Sequence, residues 1–85
     1  MVKCLGIKRL DFVGRDGVEV KGYTLWFCDP MPPSSAWMGV EVFHEFLRDE
    51  QVVQMGLDLP SLPGCDVEVV YGRKGRIEAV RPVVR

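Results

Sequence analysis

The sequence predicts a mainly β domain, five strands in a small Greek-key barrel with one short helix between strands 3 and 4. Three observations lead there. Runs rich in Val, Ile and aromatic residues recur along the chain, several with two-residue alternation. Two junctions between such runs carry the same unit, Gly-Arg-x-Gly, at residues 14–17 and 72–75. Glycines also stand inside the long runs, at Gly6 and Gly22, where a tightly coiled strand needs them. At 85 residues the chain makes one domain, residues 1–85, burying about 60% of the surface its unfolded form exposes.

Residues 2–13 form the first strand, with Gly6 marking a bulge. The tip at 14–17 turns the chain back as a hairpin of the type I plus left-handed-glycine kind. Residues 18–27, VEVKGYTLWF, are β-branched and aromatic and make the second strand. Residues 28–39 hold three of the six prolines and form the longest irregular segment. In residues 40–56, Val40 and Val42 alternate while Phe43, Phe46 and Leu47 make a helical stripe. A strand over 39–46 and a helix over 49–55, with Asp49 as N-cap and Gly56 as stop, satisfies both patterns. Pro60 and Pro63 break the connector, and residues 65–80 read as a second hairpin ended by Pro82.

Five coiled strands in this order suit a barrel of the oligonucleotide/oligosaccharide-binding kind, in which the 1–2 and 4–5 loops flank one face. Those loops are the two Gly-Arg-x-Gly tips. Turn chemistry alone accounts for either one, since glycine supplies positive φ and an exposed arginine keeps a tip soluble. Taken together, Arg15, Arg73, Lys74 and Arg76 place four cations on loops expected to converge.

Net charge is −1, so a polyanion partner has to meet a local patch rather than a basic whole. Cys4, Cys28 and Cys65 are odd in number and widely spaced, and His44 adds no zinc spacing, so they read as reduced and mostly buried. Lys3, Lys8 and Arg9 interrupt the amino-terminal apolar run before it could serve as a signal or spanning segment. The expectation is a cytoplasmic protein without metal, cofactor or membrane.

In the second strand, Tyr23, Trp26 and Phe27 cannot share a face, so at least one ring points outward. Tyr23 and Phe27 fit a core together with Leu25, and Trp26 either packs under the long loop or forms a stacking platform for a base. Lys21 shares the parity of Tyr23, with Lys8 or Arg9 on the neighbouring strand. Trp37, in the Pro/Ser loop, reads either as a plug on a barrel or second subunit, or as a mobile stacking residue. His44 lies near Glu45, Asp49 and Glu50, but no nucleophile pattern accompanies it, and acids at a helix start explain those carboxylates. No catalytic set can be assembled on so small a core.

Two segments resemble a known family. VKGYTLWF at residues 20–27 and GCDVEVVYGRKGRIEAV at residues 64–80 are similar to the small single-stranded-DNA-binding proteins of phages and mobile elements related to the filamentous-phage helix-destabilising protein. The resemblance implies a homodimeric OB-like barrel that coats single-stranded DNA during replication. Carried over by position, Lys21, Tyr23, Tyr71, Arg73 and Lys74 are the matching sites. The mid-section, with MPPSSAWMG and HEFLRDEQVVQMGLDLP, matches no pattern of that family.

The expectation is therefore non-enzymatic binding of single-stranded DNA, or else RNA, with little sequence preference. Arg15, Lys21, Arg73, Lys74 and Arg76 would meet the backbone, and bases would stack among Tyr23, Trp26 and Trp37. A protein-interaction module using the 29–39 loop and the acidic 45–50 segment is the rival.

Overall fold

Two glycine-closed turns organise the sheet. At each, an N–H to C=O bond closes the four-residue turn: Gly17 to Gly14 and Gly75 to Gly72, both 3.0 Å. The first glycine of each turn then bonds back to the residue after it, Gly14 to Val18 at 2.9 Å and Gly72 to Arg76 at 2.7 Å. Gly17 at φ 79° and Gly75 at φ 72° occupy the left-handed position this turn-plus-bulge requires. The repeated sequence unit is thus a repeated backbone device.

The computed structural model describes residues 2–31, 35–36 and 38–83. In chain order come β1 (Val2–Val13), β2 (Glu19–Asp29), β3 (Glu41–Arg48), α1 (Asp49–Met55), a 3₁₀ turn (Leu59–Ser61), β4 (Asp66–Tyr71) and β5 (Ile77–Pro82). They form one five-stranded antiparallel sheet in the order β3-β2-β1-β4-β5. Among the described residues no ladder joins β3 to β5, so the sheet is open along that seam.

β1 and β2 pair over nearly their whole length, with one slip between Cys4 and Gly6, as Gly6 suggested. Leu5 is the extra residue, so Cys4 faces Phe27 while Gly6 faces Trp26. β4 meets β1 only near its start, where Val2 and Lys3 pair with Val67 and Asp66. One more contact follows, from Gly64 N–H to Cys4 C=O at 2.8 Å and from Cys4 N–H to Cys65 C=O at 2.9 Å. Beyond it β1 leaves β4, and its outer edge continues alone.

The core side holds Cys4, Leu25, Phe27, Leu47, Leu62, Val67, Ile77 and Val80, all nearly inaccessible. Phe27 and Phe43 lie 5.3 Å apart between ring centroids. Each large side chain of this set contributes about 1.5–3 kcal/mol by leaving water. The segment after α1 adds Leu57 and Leu59 to the rim of this core.

Three sequence expectations need correction. The third strand runs two residues later than 39–46, because its pairing with β2 continues to Arg48 opposite Gly22. Arg48, still extended at φ −71° and ψ 158°, therefore caps α1 in place of Asp49. Its N–H donates to Gln51 Oε1 at 3.0 Å, while Asp49 and Glu50 sit in the first turn near the helix's positive end. Gly56 stops the helix as expected, at φ 64°, with Leu57 N–H reaching Val52 C=O at 3.2 Å. The cysteines are free but not mostly buried: Cys4 is buried, Cys28 half-buried and Cys65 exposed on the turn entering β4.

Candidate functional site

Alternation sorts β2 into a core-side set, Tyr23, Leu25 and Phe27, and an outer set, Gly22, Thr24, Trp26 and Cys28. Pairing extends the outer face to His44, Phe46 and Arg48 of β3 and to Gly6 and Lys8 of β1. Lys3, opposite Cys28, joins the same face although its number is odd, because the extra residue Leu5 reverses the parity of β1. Every carboxylate of these three strands, Asp11, Glu19, Asp29, Glu41 and Glu45, takes the other parity. A chain of net charge −1 therefore carries a three-stranded face with cations and no acid. Acid returns at the rim, where Asp66 of β4 faces Lys3.

The ion pairs follow the same division. Arg9 holds Asp49 at 2.5 and 3.2 Å through its two terminal nitrogens and approaches Asp11 at 3.9 Å, and Lys21 meets Glu19 at 3.7 Å. All belong to the core-side parity or to α1. Among the described residues, no ion pair engages Lys3, Lys8 or Arg48.

Trp26 is the centre of the outer face. It is 40% exposed, and its ring lies 4.6 Å from that of His44 at an interplanar angle of 37°. On its β1 side stands Gly6, where an added side-chain carbon would meet nothing within 4 Å. The indole is thus supported from β3 and open toward β1, with Lys8 diagonal to it. Next along β3, the Phe46 ring lies across Gly22, 2.7 Å from where a Gly22 Cβ would stand. This arrangement offers flat apolar surface for a planar ring and, beside it, cationic charge that no ion pair among the described residues engages.

Where the sheet stays open, a cleft of ≈ 620 Å³ is lined by Glu45, Phe46, Arg48, Gln51, Arg76 and Ile77. Arg48 also borders a smaller depression of ≈ 150 Å³ with Lys21 and Glu50. Arg48 therefore links the outer face to Arg76 on one side and to Lys21 on the other. Among the described residues no group of three or more His, Cys, Asp or Glu side chains is placed to hold a metal ion.

The sites expected from sequence divide accordingly. Trp26 is on the open face and Arg76 in the seam, with Arg73 and Lys74 exposed at the tip beside it. Arg15 is exposed on the other tip, past the end of β1 opposite to the one that pairs with β4. Lys21 is partnered by Glu19. Tyr23 packs against the core, with the Arg9 guanidinium 4.8 Å from its ring centroid. Tyr71 is exposed along one side, and its hydroxyl donates to Glu45 Oε1 at 3.2 Å. Partial burial, then Glu45, holds that phenol above its ordinary pKa. Trp37 lies outside the described residues.

Arg48, Phe46 and Gly6 were not among those expectations. Arg48 and Phe46 were hidden in a segment read half as helix, and Gly6 looked only like a bulge. The one signal that could have found them is the register that the Gly6 bulge and the 14–17 turn impose together. No family model matches the chain, and no curated protein or solved structure matches it either.

Proposed function

We propose that this chain is a non-enzymatic, cytoplasmic binder of single-stranded nucleic acid, DNA ahead of RNA, which coats the strand with little sequence preference. It would act in replication, like the phage and mobile-element proteins it resembles. The observation that carries the reading is the sorting of the outer face of β1–β3, where Trp26, His44 and Phe46 stand beside Lys3, Lys8 and Arg48, which make no ion pair among the described residues, and no carboxylate of these strands shares that face. Stacking on aromatic rings is indifferent to base identity, and lysine or arginine meets phosphate irrespective of sequence. In this reading β3 and β5 are the two sides of an OB-like Greek-key barrel left ajar, and Arg76, Arg73 and Lys74 extend the cationic track past the seam.

Fluorescence anisotropy of a labelled oligo-dT of about twenty nucleotides tests it, across a salt series and with duplex competitor. Three phosphate contacts, from Lys3, Lys8 and Arg48, give a slope of log K against log salt of about −2, and tip contacts steepen it. Absence of binding at high micromolar protein overturns the reading.

The rival is a protein-interaction module, favoured by the exposure of Met31 (81%), Met38 (95%) and Val40 (51%) around the 29–39 loop. The double variant Arg73→Glu with Lys74→Glu separates the two. Weakened DNA binding with the fold intact supports the first reading, and unchanged binding sinks it.

A further inference from the structure

The edge of β3 that faces the seam is a row of backbone groups without partners. Gly14 N–H bonds to Val18 C=O across the first hairpin, so even-numbered residues of β2 direct their N–H and C=O toward β1 and odd-numbered ones toward β3. Odd residues of β2 meet odd residues of β3, from Asp29 opposite Glu41 to Tyr23 opposite Leu47. Val42, His44 and Phe46 therefore direct their N–H and C=O outward, and among the described residues no backbone bond is made to these groups. Arg48 N–H, the next in the row, goes to Gln51 Oε1. Across the seam β5 is a poor template, because Pro82 has no N–H and Glu78 is the extra residue of a slip against β4. β3 pairs with β2 without a slip and contains neither proline nor glycine.

We propose that this edge takes up an extended segment of a partner protein as a strand antiparallel to β3, with the pattern basic-x-apolar-x-basic set opposite Glu45, Phe43 and Glu41. The occupant's chemistry follows from the side chains beside it. Residues opposite the odd positions form non-hydrogen-bonded pairs, in which side chains stand closest. Phe43 shares a groove of ≈ 390 Å³ with Val2, Val69 and Tyr71, which receives the central apolar side chain. Asp29 and Glu41 line the same groove and no cation does, while Glu45 stands next in the row. Among the described residues no ion pair engages Glu41 or Glu45. Besides burial, both carboxylates help to hold the Tyr71 phenol above its ordinary pKa, so their field reaches into the groove. Inward-pointing charges ordinarily keep strands off an edge. Here they repel a second β3 and any acidic strand, and they favour a basic one. The chain's own match to the pattern, residues 81–85, would set Pro82 opposite His44, where an N–H has to donate, and Arg81 and Pro82 already belong to β5.

The probe is a fluorescein-labelled peptide with a Lys-Thr-Val-Thr-Lys core, titrated by anisotropy and followed by the amide resonances of the labelled protein. Saturable binding that shifts Val42, His44 and Phe46 is expected. Replacing both lysines by glutamate should weaken it tenfold or more. Methylating the backbone nitrogen of both threonines, which removes the donors facing His44 and Val42, should cost as much. The double variant Glu41→Lys with Glu45→Lys should take the glutamate peptide in preference to the lysine one, and because that variant has to bind in order to show it, lost binding is not confused with a lost fold. No uptake of the lysine peptide at about 1 mM overturns the proposal. So does equal uptake of the two peptides, or uptake indifferent to methylation, which would be charge attraction without a strand. Self-association of the chain that shifts the same amides and is lost in Arg81→Glu would give the edge to the chain itself and overturn it too. These readouts need no nucleic acid, so they stand apart from the proposed function.

Discussion

Removing the indole of Trp26 is the sharpest perturbation of the outer face. One side of the ring is occupied by His44, at 4.6 Å between centroids, and the side toward Gly6 is open, so the geometry admits one stacked base per chain. A stacked base contributes about 1–3 kcal/mol, so Trp26→Ala should weaken oligo-dT binding roughly 5- to 150-fold. The fold should lose little, because Trp26 is 40% exposed and outside the core, whereas Phe27→Ala next to it would cost about 3–5 kcal/mol. Gly6→Val tests the same space from the other side: nothing lies within 4 Å of a new Cβ there, so the sheet accepts it while the shelf is filled. Both variants should show the same loss by anisotropy, with unchanged salt slope, since neither removes a cation. Wild-type affinity in a folded Trp26→Ala would refute the stacking argument, and a loss in Trp26→Ala without one in Gly6→Val would place the base elsewhere on the ring.

Gly22→Ala should destabilise by about 1–3 kcal/mol in urea denaturation, because its Cβ would collide with the Leu47 carbonyl and stand 2.7 Å from Phe46 Cζ and 3.0 Å from Arg48 Cα. Gly6→Ala serves as the tolerated comparison. The hydrogen bond from Arg9 holds the Asp49 carboxyl below its ordinary value, so its stabilising contribution is present above about pH 4, the unfolded value, and is lost as pH falls through the folded one. The thermal midpoints of wild type and Asp49→Asn should therefore converge toward low pH and separate above it, and less so at high salt. Burial pushes the Cys4 thiol up while Cys65 is exposed, so alkylation followed by peptide mass mapping should find Cys65 modified in the native protein and Cys4 only after unfolding.

Local chemistry made much of the scaffold legible. The two Gly-Arg-x-Gly units announced their hairpins because a left-handed glycine at a fixed offset is a requirement of a short turn, independent of anything distant. Gly56 stopped its helix for a similarly local reason. The helix span 49–55 was read as it stands, but the end of β3 was read two residues early, because residues 45–48 fit either period and only pairing with β2 decides between them. The burial of Cys65 was misjudged for a related reason: cysteine is usually buried, but here the turn into β4 holds it at the surface.

The candidate site was less legible than the scaffold. Sequence alone determined that Trp26 and Phe27 point to opposite faces, that Arg73, Lys74 and Arg76 cluster on one tip, and that net charge is too low for a uniformly basic surface. Only the tertiary structure decided which cations share a face or a cleft. Leu5, the extra residue of a bulge, turns Lys3 onto the face of Lys8, and the open β3–β5 seam sets Arg48 and Arg76 on a common cleft. The physical reason is that a strand's side-chain direction has period two, so a single inserted residue reverses every assignment beyond it. Where that reversal falls is fixed by pairing between strands, which neighbouring residues in the sequence do not encode.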